Sequence, residues 1–135
     1  MKNILILGSL PKNEDDKILY NSIVEACSNL DVKVNSPLDT AKFKGTEKER
    51  YELAFKKVKE ADLIIGEQSR PSTGQGMEIR EAAILGKPLI IVAKEGSIVS
   101  GLVKGCPATK EILYYNNILE LKMKLKKSIE KLCLI

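Results

Sequence analysis

Histidine and tryptophan are both absent from this chain of 135 residues, and only two phenylalanines and four tyrosines are present. Without histidine, Ser-His-Asp and Cys-His catalysis are excluded, and so are nearly all catalytic zinc sites. Carboxylates, hydroxyls, lysines and backbone amides therefore remain as the groups that could carry any chemistry.

Cysteine is scarce, and its number is odd. Cys27, Cys106 and Cys133 are irregularly spaced in apolar surroundings, which indicates reduced thiols and neither a disulfide framework nor a metal site. Long apolar runs are also missing, since none approaches the roughly 18 residues of a membrane span. We therefore expect a cytoplasmic protein without a membrane partner, folded as one domain over residues 1–135.

Strong charge of one sign is lacking as well, because the formal net charge is only +4 and is spread along the chain. That balance fits an anionic or a neutral ligand. The lysines of "LKMKLKKSIEKL" (121–132) face away from an apolar stripe, which favours a solvated helix face over a surface for nucleic acid. We expect no nucleic-acid partner.

Five short apolar or β-branched runs have the pattern of strands buried on both faces, and apolar stripes of helical period lie between them. The strands are predicted at 4–9, 33–36, 62–67, 88–93 and 112–115. The stripes are Ile18, Ile23, Cys27 and Leu30; Tyr51, Ala54, Phe55 and Val58; Ile79, Ala82, Ala83 and Leu85; and Ile118, Leu121, Leu125, Ile129 and Leu132.

This alternation predicts an α/β fold, a flavodoxin-like doubly wound parallel sheet of five strands in the order 2-1-3-4-5, covered by helices on both sides. Ligands of such sheets bind at the carboxyl ends of strands 1 and 3, here the loops 8–16 and 66–76. The polar segment 35–50 could be a mobile lid, but we favour a surface loop.

The second of these loops runs into "EQSRPSTGQGMEI" (67–79), where Glu78 stands at what looks like a helix entry. The spacing of Gly74 and Gly76 matches neither a Walker loop nor a dinucleotide fingerprint, so alone it indicates a tight turn. Glu78 has two interpretations. It is an acid of the first helical turn, stabilised by the helix dipole, or it faces a ligand.

The longer segment "ADLIIGEQSRPSTGQGMEIREAAILGKPLIIV" (61–92) resembles the nucleoside 2-deoxyribosyltransferase superfamily, and by pattern the 2'-deoxynucleoside 5'-phosphate N-hydrolases within it. The resemblance is close over 61–105 and looser at the first strand. It implies that Glu78 is the nucleophile, which attacks C1' of the sugar, expels the base and leaves a covalent glycosyl-enzyme.

The same resemblance implies the remaining site residues. Ser72 matches a serine that binds the 5'-phosphate in the hydrolases, whereas the transferases have an acid there. Ser100 matches a serine that reaches the phosphate site of a neighbouring subunit, which implies a homodimer. Gly8 and Ser9 match the ligand-facing end of strand 1.

Physical chemistry fits these roles, because a carboxylate under C1' stabilises an oxocarbenium-like transition state and can then capture it. We expect the helix N-terminus to keep Glu78 ionised, and Gly74 and Gly76 to let the backbone approach the sugar. Ser72 has the alternative interpretation of a helix N-cap, and Ser100 that of a loop or cap serine.

The sequence departs from the family pattern at three places. Strand 1 has Leu5–Leu7 where the family has an aromatic hydroxyl. The aspartate that assists the leaving base is replaced by Ala54. Glu52, Glu60 or Tyr51 could substitute for it, but Glu52 lies about 160° round the helix from Ala54, so simple replacement is not expected. The Gly-Arg phosphate loop is missing, with Lys12 as the nearby basic candidate.

The sequence therefore predicts a cytoplasmic homodimer that hydrolyses the N-glycosidic bond of (2'-deoxy)nucleoside 5'-monophosphates to free base and sugar 5-phosphate, without metal or organic cofactor. Two alternatives stay open at this point. One is a deoxyribosyltransferase that moves the sugar between bases. The other is a nucleotide-binding protein without catalysis, suggested by Ala54 and the missing tyrosine.

Overall fold

The computed structural model describes residues 1–133 and contains one five-stranded sheet, parallel throughout, in the order β2-β1-β3-β4-β5. This is the predicted fold and strand order. The strands are β1 Asn3–Leu7, β2 Lys33–Asn35, β3 Leu63–Glu67, β4 Leu89–Lys94 and β5 Thr109–Tyr115. Each lies within three residues of its predicted position.

Within residues 1–133, six α-helices cover the two faces of this sheet. They are α1 Glu14–Ala26, α2 Pro37–Ala41, α3 Glu47–Glu60, α4 Thr73–Ile84, α5 Gly101–Lys104 and α6 Ile118–Cys133. Helices α1 and α6 pack together on one face, and α3 and α4 contact each other on the other. None of the helices in residues 1–133 is long and apolar enough to cross a membrane.

The three central strands, β1, β3 and β4, are mostly apolar because the sheet is buried on both faces there. In β1, Ile4 and Ile6 belong to the cluster under α1 and α6, while Leu5 and Leu7 belong to the cluster under α3, α4 and α5. The predicted stripe of α6 is confirmed for its buried members, which are Leu121, Leu125 and Ile129.

The other three predicted stripes are partly wrong. Ile18 and Leu85 are exposed, and of the α3 stripe only Val58 is fully buried, with Tyr51 more than half exposed. Periodicity marks an apolar helix face, but it does not say what covers that face. On α3 much of the apolar face borders a cavity.

The segment 35–50 is more ordered than the predicted loop. It contains α2 and the first residues of α3, and each helix begins with a capping box. Ser36 and Asp39 form the first box, and Thr46 and Glu49 form the second. A side chain that satisfies the free N–H groups at a helix start stabilises even a short helix.

At the amino end of the sheet, Asp62 ties two chain segments together. Its Oδ2 atom accepts hydrogen bonds from the backbone N–H groups of Lys2 at 2.7 Å and Asn3 at 2.9 Å. These bonds hold the pKa of Asp62 below its usual range, because they favour the charged form. Asp62 therefore has a structural role, far from the carboxyl ends of the strands.

Candidate functional site

The helix that carries Glu78 begins earlier than the glycine pair suggests. Helix α4 starts at Thr73, and Ser72 is its N-cap, with Oγ accepting a hydrogen bond from the backbone N–H of Gln75 at 3.3 Å. Glu78 is therefore the sixth residue of α4, in its second turn. The expectation of a first-turn acid is wrong, because the cap starts the helix before Gly74 despite the low helix propensity of glycine.

Glu78 lines a cavity of about 330 Å³ at the carboxyl end of β1, between that strand and helices α2, α3 and α4. Two of the other predicted site residues, Gly8 and Gly74, line the same cavity. Most of its wall is apolar or aromatic; the wall includes Leu5, Leu7, Leu10, Pro37, Phe43, Tyr51, Leu53, Ala54, Phe55 and Met77.

Burial controls the ionisation of Glu78. Desolvation raises the pKa of its carboxyl to about 7, and the positive charge of Lys57 opposes that rise. Among residues 1–133, no hydrogen bond to this carboxylate stabilises the charged form. The expectation that the helix N-terminus keeps Glu78 ionised is therefore wrong, because burial shifts its pKa in the opposite direction.

Position 54 does face the site. Ala54 lines the Glu78 cavity, so the place where the family pattern has an acid opens onto the same space and presents a methyl group. Glu52, which helical geometry excluded as a substitute, is exposed and does not line the cavity. The charged side chains that do line it beside Glu78 are Glu47, Arg50 and Lys57.

Three of the other predicted residues lie around α4 in a second cavity, of about 590 Å³. Ser72, Gly76 and Ser100 line it together, with Arg80 and Cys106. Ser100 is the N-cap of α5, and its Oγ accepts from the N–H of Leu102 at 3.3 Å. Both serines are therefore helix caps in this structure. A hydroxyl that accepts one bond still has its O–H to donate.

Ser9 lies at the end of β1 but is held by protein contacts. Its Oγ donates to the carbonyl of Arg70 at 2.9 Å, and its own carbonyl accepts from the Tyr20 hydroxyl at 2.5 Å. A Cβ on Gly8 would lie 2.8 Å from the Tyr20 ring, so only glycine fits beneath that ring. An aromatic hydroxyl, missing from strand 1, thus reaches the strand's end from α1.

Sequence reasoning did not find the ion pair that joins the two site loops. Arg70 Nη2 lies 2.9 Å from Asp16 Oδ1, and Asp16 Oδ2 accepts from the backbone N–H of Lys12 at 2.8 Å. The Lys12 amide and the Arg70 guanidinium hold the pKa of Asp16 below its usual range. The arginine in the loop 66–76 was a signal, but no local pattern could pair it with Asp16.

A buried acid at the end of β3 was also missed. Glu67 accepts hydrogen bonds from the backbone N–H of Ser69 at 2.6 Å and from the Tyr115 hydroxyl at 2.6 Å. Burial and the nearby Glu67 charge raise the pKa of Tyr115, which keeps this hydroxyl protonated. The sequence did contain a signal for Glu67, namely an acid as the last residue of an apolar strand. Such an acid needs hydrogen-bond partners when it is buried.

Comparison with known proteins identifies relatives of this chain. A Methanosarcina mazei protein named provisionally as 2'-deoxynucleoside 5'-phosphate N-hydrolase 1 is 31% identical over 114 residues, which cover 80% of this chain and 71% of that protein. The 5-hydroxymethyl-dUMP N-hydrolase of Mus musculus is 23% identical over 112 residues, or 76% of this chain; the chain spans 65% of that protein's length, just under two thirds.

The fold has solved counterparts as well. The structure of Clostridium botulinum CMP N-glycosidase superposes with a TM-score of 0.72 at 20% identity, covering 92% of this chain and 98% of the other. No protein-family profile matches the chain. The similarity to the Methanosarcina mazei protein, together with the fold and the motif around Glu78, establishes that this chain belongs to the 2'-deoxynucleoside 5'-phosphate N-hydrolase family of the nucleoside 2-deoxyribosyltransferase superfamily.

Proposed function

We propose that this protein hydrolyses the N-glycosidic bond of 2'-deoxynucleoside 5'-monophosphates and releases free base and sugar 5-phosphate. One observation carries the proposal, namely a half-buried carboxylate without hydrogen-bond partners among residues 1–133, facing a cavity at the carboxyl end of the central strands. A carboxylate whose oxygens accept no other bonds keeps its lone pairs for the substrate.

The chemistry follows from this position. The ionised Glu78 attacks C1', the bonding pair of the C1'–N bond leaves with the base, and a glycosyl ester forms on the carboxylate. Water then attacks C1', the ester C1'–O bond breaks, the water loses one proton to the departed base or to solvent, and Glu78 is regenerated as a carboxylate. The nearby positive charge of Lys57 supports the first step, because it favours the ionised nucleophile.

For the 5'-phosphate we propose a site on the α4 N-terminal side. Ser72 contributes its O–H there, and the end of α4 contributes backbone N–H groups, which favour anions. Arg70 adds a half-exposed guanidinium, paired with Asp16, in a chain that lacks the Gly-Arg loop of its family. Gly8 and Gly74 line the Glu78 cavity, and we propose that they let the backbone approach the sugar there.

We also propose a homodimer in which Ser100 acts at the partner's phosphate site. Ile98 and Leu102 flank Ser100, and they are 90% and 89% exposed. Large apolar side chains with this much exposure support a protein–protein interface around Ser100. A cytoplasmic location remains a prediction from the number and spacing of the cysteines.

Base release tests the proposed activity directly. The protein is incubated with a panel of ribo- and deoxynucleoside 5'-monophosphates, and free base is followed by chromatography beside a Glu78→Gln variant. Glu81→Gln, on the same helix but outside the Glu78 cavity, is the matched control. The proposal fails if the wild type releases no base, or if Glu78→Gln releases it as fast.

Two alternative functions give different results. A deoxyribosyltransferase would turn over faster when a second free base is supplied, whereas a hydrolase would be indifferent to it. A nucleotide-binding protein without catalysis, which Ala54 favours, would show a thermal shift with nucleotide and no free base. Ser72→Asp tests whether Ser72 contacts the 5'-phosphate. If it does, the introduced negative charge should repel the phosphate and weaken binding of the monophosphate.

A further inference from the structure

The cavity of Glu78 has a nucleophile but no acid where its family places one. When the C1'–N bond breaks, the electron pair moves onto the base, and this negative charge must be protonated or stabilised for the base to leave. Ala54 can do neither. The question is which side chain of the same cavity takes over, and the candidates are the charged groups on α3, namely Glu47, Arg50 and Lys57.

Arg50 is closer to Ala54 in angle round the helix axis than Lys57 is. It lies four residues before Ala54, one turn and about 6 Å along the helix axis, and about 40° round it. Both residues line the cavity. The long arginine side chain can therefore reach space that a short acid at position 54 would have occupied.

The guanidinium of Arg50 is already placed over an aromatic ring. Its Cζ lies 5.4 Å from the ring centroid of Phe43, which also lines the Glu78 cavity. This cation–π contact orients the guanidinium at the wall of the cavity without using its N–H donors. In the part of the chain that the structure describes, no carboxylate pairs with Arg50, so those donors remain available.

The other two candidates fit this task less well. Lys57 lies three residues beyond Ala54, and its charge acts on Glu78 itself, where it favours the ionised nucleophile. Glu47 stands at the first residue of α3, two turns from Ala54. A carboxylate at this place would also repel the negative charge that develops on the base.

We propose that Arg50 stabilises the departing base as an anion, by donating guanidinium N–H groups to a carbonyl oxygen of that base. This inference rests on the proposed function. As the C1'–N bond breaks, its electron pair delocalises into the base carbonyl, and Arg50 binds that oxygen without giving up a proton. Water supplies the proton after the base has left. The substrate class is accordingly a nucleotide whose base carries a carbonyl next to the glycosidic nitrogen, as pyrimidines do.

The test compares leaving groups of different acidity. Deoxyuridine monophosphate and its 5-fluoro derivative differ little in size, but the fluorinated base is the better leaving group. We expect Arg50→Gln to slow release of uracil about a hundredfold and release of 5-fluorouracil much less, since a good leaving group needs less stabilisation. Arg50→Lys should recover part of the rate. Lys59→Gln removes a positive charge from an exposed position of the same helix outside the cavity and is the matched control.

A second measurement separates this inference from the proposed function. Binding of 5-fluorouracil, followed by calorimetry, should tighten in the wild type as the base ionises at alkaline pH, and Arg50→Gln should lose that gain, whether or not the protein turns over. If wild-type protein releases no base but shows this difference, the hydrolase proposal alone fails. If base is released and Arg50→Gln slows both substrates equally, or neither, the role of Arg50 is overturned.

Discussion

Asp62 and Glu78 are two carboxylates at opposite ends of the same strand–helix unit, and their environments shift their pKa values in opposite directions. Asp62 accepts two backbone hydrogen bonds, which lower its pKa, while Glu78 is desolvated and its pKa rises to about 7. A carboxylate whose oxygens are occupied by the protein holds the fold together. One that the protein leaves unoccupied in a cavity is available to a ligand.

The largest expected difference between these two acids is in activity. Glu78→Gln should reduce base release by at least about a thousandfold, because the amide cannot form the glycosyl ester. Asp62→Asn should leave kcat and KM for the same nucleotide within about twofold, since Asp62 lies at the other end of the sheet. Steady-state kinetics of both purified variants checks this, and a large loss in Asp62→Asn would contradict the separation.

The next largest effect is the pH dependence of the reaction. With a nucleophile of pKa about 7, kcat/KM should rise about a hundredfold from pH 5 to a plateau above pH 8. Lys57→Met should move the midpoint to higher pH, because it removes the charge that favours the ionised form. Lys59→Met, exposed on the same helix, is the control and should not move it.

The free energy of unfolding should depend on pH in opposite directions for Glu78 and Asp62. The folded pKa of Glu78 lies above its unfolded value, so its contribution to stability is present at pH 4 and is lost as pH rises through about 7. Glu78→Gln should therefore raise Tm by about 2–5 °C at pH 8, and by little at pH 5. An equal gain at both pH values would contradict burial of a titrating carboxylate.

Asp62 provides the reverse case, with a smaller effect because it is solvent-exposed. Its folded pKa is lowered, so its contribution is present above the unfolded pKa of about 4 and is lost as pH falls through the folded pKa. Asp62→Asn should lower Tm by about 1–3 °C at pH 7 and by less at pH 2.5. Calorimetric scans at the two pH values check both the sign and the window.

The sheet and its order followed from the sequence because βα alternation leaves few topologies, and each apolar strand had to be covered on both faces. The sequence also predicts that Glu78 and Gly8 lie close together, because the carboxyl ends of neighbouring parallel strands meet at one edge of the sheet. In the structure both residues line the same cavity. The family pattern likewise indicates that position 54 belongs to the site, and Ala54 lines that cavity.

Other features depended on contacts that no local pattern contains. The start of α4 was misplaced because Gly74 and Gly76 suggested a turn, whereas the Ser72 cap continues the helix through them. Tyr51 and Phe55 have the spacing of core residues, yet they line a cavity. The partners of Glu67 and Arg70 lie 48 and 54 residues away, and only the folded chain brings them together.

The ion pair between Asp16 and Arg70 has a consequence for any attempt to re-engineer this protein. Asp16 also accepts a hydrogen bond from the Lys12 amide, and Ser9 donates one to the Arg70 carbonyl. The loops after β1 and β3 are therefore connected and stabilise each other. Replacing only one of these loops with the loop of a relative removes the ion pair and the hydrogen bond that stabilise the other loop. Substrate preference should therefore be transplanted by moving both loops as a pair.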